Sequence, residues 1–243
     1  MKKVLISIII VLCIVGNGAV FAYIDIYDDN LKETVSDLSK FNIINGYADG
    51  TFKPDNNITR AEFSKIICTA GIYDMVTENT SEFNDVSATH WAVDYIYTAK
   101  NIGIINGTSK TTFAPESYIT YEQAIKMVVA ALGYNDEASQ KGGYPTGYIT
   151  VANELGILDG IQFINTNYAT RADIARIVRN ALDVPFYFLT NDNGTIHREL
   201  SSISLYEIHD ITFSTPVEDE MFDEENDIDT GSQLKETETD SVG

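Results

Sequence analysis

The chain has 243 residues, an ordinary apolar fraction of 44% and a formal charge of −20. That length allows one moderate domain or two small ones, with a sizeable core. The charge argues against nucleic acid and anionic lipid headgroups as partners.

The chain opens with MKKVLISIIIVLCIVGNGAVFA. Lys2 and Lys3 precede an apolar run from Val4 to Val15, Gly16 to Gly18 break it, and Val20-Phe21-Ala22 supplies small residues where a signal peptidase cleaves. Residues 1–22 read as a secretory signal peptide. The alternative is an uncleaved anchor, although the run is short for a bilayer. Cys13 invites a lipoprotein reading, which bulky Leu12 disfavours. Cleavage leaves Cys68 as the single cysteine, so no internal disulfide forms. Its neighbours Ile66 and Ile67 suit a small buried residue, with a reactive thiol as the alternative.

The next residues form a unit that recurs. INGYADGTFKPDNNITRAEFSKIICTAGIY, from Ile44, aligns without a gap on INGTSKTTFAPESYITYEQAIKMVVAALGY, from Ile105. Gly46 falls on Gly107, Phe52 on Phe113, Pro54 on Pro115 and Thr59 on Thr120. A third copy with a shorter loop starts at Leu158, LDGIQFINTNYATRADIARIVRNALDV, with Gly160 and Thr170 at the matching places. Self-similarity at this spacing means one supersecondary unit used three times.

Within each unit the elements follow from periodicity. A first helix is expected over about Leu31 to Ile43, Trp91 to Ile102, and Tyr148 to Leu155. Each leads to a strand-like apolar step, Ile43-Ile44, Ile104-Ile105 and Ile157-Leu158. A glycine-led loop follows, with Asp49-Gly50 as a turn signal. The second helix starts at Thr59, Thr120 or Thr170. Thr59 with Glu62 and Thr120 with Gln123 are capping boxes, and Thr170 with Asp173 is a weaker one. Phe63, Ile66, Ile67 and Ala70 make a buried stripe, repeated by Ala124, Met127, Val128 and Ala131, and by Ile174, Ile177, Val178 and Ala181. One unit cannot bury its own face, and three packed together can share a core. The divisions read as 23–75, 76–134 and 135–189.

From about Thr190 the character changes. Residues 190–243 hold fifteen acidic and two basic residues, and no apolar period continues past about Ile211. An acidic, largely disordered tail is expected, with a short strand pair near Thr195 to Ile208. Its acids are able to bind calcium weakly, but no EF-hand spacing is present, and a solvated tail is the better reading.

INGYADGTFKPDNNITRAEF, FNDVSATHWAVDYIYTAKNIGIING and ATRADIARIV together resemble the S-layer homology family, over about residues 23 to 185. The TYEQ at 120–123 and GGYPTGY at 142–148 resemble a clostridial-type subfamily. The resemblance implies a mainly α pseudo-threefold bundle of three helix-loop-helix repeats. Its grooves would bind an anionic secondary cell wall polymer, often carrying a pyruvate ketal, and the TRAE-like arginine would contact the carboxylate. That role carries over to Arg60 and Arg171. Tyr121 stands where repeat two would have its arginine, which puts one groove in doubt.

Arg60 and Arg171 fall in first helical turns, where side chain and helix end would together meet an anion. This requires both guanidinium groups to face solvent. The alternatives are solvated residues or ion pairs to Glu62 and Asp173. Trp91 and Tyr47 are able to stack on sugar rings, although Trp91 also fits a core stripe. Asp25 and Asp85 either accept hydrogen bonds from sugar hydroxyls or cap the following helices. Gly46, Gly50, Gly107 and Gly160 serve the turns first and sugar approach second. No zinc pattern, nucleophile elbow or Cys-His arrangement stands out among His90, His197 and His209, so neither a catalytic residue nor a metal or cofactor is expected. The function expected is non-covalent, non-enzymatic attachment of a secreted protein to the wall or S-layer of a Gram-positive-type bacterium, with no membrane contact after cleavage. The alternatives are a scaffold whose acidic tail recruits a protein partner, and a wall hydrolase.

Overall fold

A computed structural model describes residues 23–71, 73–76, 83–161, 167–192 and 194–214. The signal-peptide reading of residues 1–22 and the disorder expected of residues 215–243 lie outside the described residues. The elements are α1 (Asp29–Lys40), α2 (Arg60–Ala70), α3 (Val93–Asn101), α4 (Tyr121–Ala131), α5 (Asn135–Gln140), α6 (Thr146–Glu154), α7 (Arg171–Leu182), β1 (Pro185–Asp192), β2 (Thr195–Ser204) and α8 (Leu205–Ser214). The fold is mainly α, and the repeats are arranged about a pseudo-threefold axis.

The axis is visible in the backbone. Ile58 N–H donates to Ala169 O, Ile119 N–H to Ile58 O, and Ala169 N–H to Ile119 O, at 3.2, 2.9 and 3.0 Å. Three residues, one from each repeat, thus close a triangle just before α2, α4 and α7. All three are fully buried. Each first helix packs on the second helix of the preceding repeat: α3 on α2, α6 on α4, and α1 on α7. One continuous apolar core results.

The capping boxes form at α2 and α4, with Thr59 and Glu62, and Thr120 and Gln123, bonded in both directions. Thr170 Oγ1 accepts from Asp173 N–H at α7. Each cap stabilises its helix by about 1 kcal/mol. The first N–H of each helix is also occupied. Arg60 N–H donates to Ser117 O, Tyr121 N–H to Asn167 O, and Arg171 N–H to Asn56 O, at 2.8–3.2 Å. The ends of α2 and α7, where Ala61 and Ala172 N–H also donate to Pro115 O and Pro54 O at 3.0 Å, are therefore not open anion sites, a correction to the sequence expectation. The loop of an adjacent repeat supplies the missing acceptors.

The apolar steps after the first helices are not strands. Ile43 and Ile44 N–H both reach Leu38 O, Ile104 and Ile105 N–H both reach Ala99 O, and Ile157 N–H reaches Ala152 O. They are helix C-terminal closures that turn through a left-handed residue: Asn42 at φ 56°, Gly103 at 80° and Gly156 at 72°.

The expected boundary between repeats and tail at 189/190 cuts through β1. β1 and β2 form an antiparallel hairpin, with Leu189 opposite Arg198 and Asn191 opposite Ile196. The expected strand pair starts ten residues too late, and Leu205–Ser214 is helical. α8 returns to the repeats, where Leu205 and His209 are buried. Among the described residues, no helix is long and apolar enough to cross a membrane.

Candidate functional site: clefts between repeats

Three clefts are related by the pseudo-threefold axis. The first, of about 280 Å³, is lined by Asn45, Gly46, Tyr47, Glu62 and Lys65 of repeat one, Trp91 of repeat two and Arg171 of repeat three. The second, of about 500 Å³, is lined by Asn106, Gly107, Gln123 and Lys126 of repeat two, Tyr144 and Tyr148 of repeat three and Arg60 of repeat one. The construction is the same in both. One repeat gives the loop and a lysine, its predecessor around the axis an arginine, and its successor an aromatic platform.

The arginines are not presented to solvent as the sequence reading required. Arg60 is 6% and Arg171 5% exposed. Arg60 Nε donates to Phe113 O at 2.8 Å and Nη2 to Asn106 O at 2.9 Å, with Nη1 3.4 Å from Gln123 Oε1. Arg171 Nε donates to Phe52 O at 2.9 Å and Nη2 to Asn45 O at 3.0 Å. Each guanidinium also lies over a phenylalanine ring, Arg60 at 4.5 Å from Phe113 and Arg171 at 4.7 Å from Phe52. The forks are spent chiefly on carbonyls of the next repeat's loop, so their first task is to tie repeats together. Both still form part of a cleft wall. Neither pairs with the acid two residues on. Glu62 is held in its capping box, and Asp173 accepts from Tyr121 and Thr170.

Tyr121 replaces an arginine tie with a neutral one. Its hydroxyl donates to Asp173 Oδ2, and burial with the adjacent carboxylate raises its pKa to about 12. The third cleft, about 460 Å³, is lined by Asp28, Asp159, Gly160, Asp173, Arg176 and Asn180. Arg176 is engaged by Asp28 at 2.8 Å and Asp173 at 3.6 Å. This cleft is acidic where the other two carry an arginine and a lysine.

Asp25 and Asp85 do not cap the following helices; they accept from backbone N–H groups of their own repeat's loop. Asp25 accepts from Phe52 and Lys53 N–H at 2.8 and 2.7 Å. Asp85 accepts from Phe113 and Ala114 N–H at the same distances. Lys53 and Ala114 adopt φ of 57° and 59°, a conformation costly for residues with a side chain. The carboxylates clamp this kink, and the paired N–H bonds pull Asp85 below the ordinary carboxylate range. The cap of α1 is Asp28, bonded to Asn30 and Leu31 N–H.

Gly50 and Gly160 serve turns at φ 79° and 75°. Gly46 and Gly107 instead meet close packing. A Cβ at Gly107 would lie 2.4 Å from Ser109 O and 2.5 Å from Thr112 O, and one at Gly46 would strike the Tyr23 ring. Trp91 is 55% exposed. The core-stripe reading fails for it because α3 starts two residues later. Tyr47 is exposed, with Lys53 Nζ 4.1 Å above its ring. Lys65, Lys126, Tyr144 and Tyr148 were missed as cleft residues. Lys126 donates to Ile104 O at 2.7 Å, and burial lowers its pKa.

Comparison with known proteins agrees with this architecture. The family model described as the S-layer homology domain matches residues 25–64 and 82–125. The chain is an S-layer homology domain protein. The chain is 32% identical over 181 residues to the middle cell wall protein of Brevibacillus brevis, covering 73% of this chain and 17% of that one. It is 32% identical over 176 residues to a cell surface protein of Thermoanaerobacter kivui, covering 70% and 22%. A cellulosome-anchoring protein of Acetivibrio thermocellus is 30% identical over 122 residues, covering 48% and 27%. The chain thus spans about a fifth of the length of the first two. The third repeat lies outside the matched segments and is joined to the other two by the Ile58–Ile119–Ala169 triangle.

Proposed function

We propose that this S-layer homology protein attaches non-covalently to the bacterial cell wall by binding an anionic secondary polysaccharide in its first two inter-repeat clefts. The observation that carries this reading is the pairing, twice over, of a cationic wall with an exposed aromatic platform: Arg171 and Lys65 with Trp91, and Arg60 and Lys126 with Tyr144. Aromatic faces suit the apolar faces of sugar rings, and fixed cations suit an acidic substituent such as a pyruvate ketal. The names of the wall and anchoring relatives support the same location at the cell surface.

The chain is strongly acidic, so long-range attraction to an acidic polymer is absent and recognition is short-range. The arginine forks are mostly occupied and the Lys126 ammonium already donates to Ile104 O, so each cation contributes through the donors its carbonyl partners leave open. The third cleft, with its three aspartates, does not take the same ligand. The scaffold reading, in which the acidic tail from residue 190 to 243 recruits a protein, is compatible with this role and adds to it.

The test is cosedimentation of the full chain with purified walls before and after removal of pyruvyl groups. Untreated walls should pellet the protein and treated walls should release most of it. Equal retention would refute the anionic substituent, and release of soluble sugar during incubation would refute the non-enzymatic reading.

A further inference from the structure

α8 is held against the repeats by a buried imidazole. His209 is 2% exposed. Its Nε2 lies 3.0 Å from Ala70 O at the end of α2. Its ring stacks on Phe41, which follows α1, at 5.0 Å and 21°, with Phe213 at 6.2 Å. A carbonyl only accepts, so Nε2 carries the proton and Nδ1 is a bare lone pair. Nδ1 is buried and has no hydrogen-bond partner among the described residues. A second proton would have to sit there, as a charged donor facing no acceptor.

The surrounding charges do not relieve it. On α1, Lys40 is 2.5 Å from Asp210 of α8 and Asp37 is 2.7 Å from Arg179. On α7, Arg179 also pairs with Asp183 and lies 4.2 Å over the Tyr206 ring of α8. Glu207 of α8 is taken by Ser204 in a capping box. On α2 the contact to the imidazole is the uncharged Ala70 carbonyl. Each carboxylate on this face is matched, and Lys40 and Arg179 add positive potential.

We propose that His209 makes α8 an acid-released clasp, docked on the repeats while the imidazole is neutral and freed when it is protonated. The sign follows from burial, which holds the docked imidazole below its ordinary 6.5. Protons therefore favour the undocked helix. Docking is fully stabilised well above pH 6.5 and weakens as pH falls through 6.5 towards the docked pKa, the undocking constant rising by at most about tenfold per unit. α8 links the hairpin to the acidic stretch from residue 215, so release alters how that stretch is tethered to the wall-binding repeats.

Hydrogen exchange of the full chain at pH 7.5 and 5.5, corrected for intrinsic rates, tests this. Residues 205–214 should lose protection at pH 5.5, by up to about tenfold, while α2 and α4 keep theirs. His209→Phe, which preserves the stacking, should remove the pH response. Unchanged wild-type protection, or an equal loss in His209→Phe, overturns the proposal. Should the variant misfold, the ring titration of His209 by NMR of the unmodified chain decides. A titration near 6.5 with α8 still protected also overturns it.

Discussion

Replacing Arg171 with alanine separates the two roles of that side chain. The substitution removes two charge-assisted bonds, to Phe52 O at 2.9 Å and Asn45 O at 3.0 Å, and the stacking over Phe52. Bonds from a charged donor contribute about 1.5–3 kcal/mol each. With both carbonyls left without that partner near the core, the loss is about 4 kcal/mol. At about 2–4 °C per kcal/mol for a chain of this size, the melting temperature falls by about 8–16 °C. Arg171→Lys keeps the charge but not the fork, and should fall by roughly half as much. The assay is thermal unfolding followed by circular dichroism, with wall binding measured well below the transition. A drop smaller than about 2 °C for Arg171→Ala would refute the tie between repeats one and three. It would return the arginine to the purely ligand-binding role that its sequence position suggests.

Trp91→Ala should leave the melting temperature within about 2 °C, because the ring is mostly exposed, and weaken wall binding several-fold, measured by cosedimentation. Gly107→Ala should destabilise by about 2–4 kcal/mol, since its Cβ would meet two backbone oxygens that cannot retreat; chemical denaturation measures this. Cys68, whose thiol is pushed up to about 12 by burial, should stay unreactive toward a thiol reagent at pH 8 in folded protein and react fully on unfolding.

The second helices were readable from sequence because their signals are local. A threonine cap, a partner three residues on and a 3.6-residue stripe fix α2, α4 and α7, and all three start one residue after the named threonine. The fate of Arg60 and Arg171 was not readable. It depends on loops 46 to 126 residues away in the chain, brought beside them only when the central triangle closes. The same closure sends Asp25 and Asp85 to backbone N–H groups and leaves Trp91 exposed, because α3 begins after it. The hairpin was hidden by averaging over an acidic stretch whose charge is concentrated beyond residue 214. A readable signal was present nonetheless, in Gly194, which turns at φ 88°, and in the Ser204–Glu207 capping box that starts α8.

Attachment to the wall polymer is the claim on which the account turns. Its most direct measurement is cosedimentation of the full chain with intact walls and with peptidoglycan stripped of secondary polysaccharide. The cleft geometry predicts that the protein pellets with the first and stays in solution with the second. Equal pelleting with both, or with neither, would contradict it.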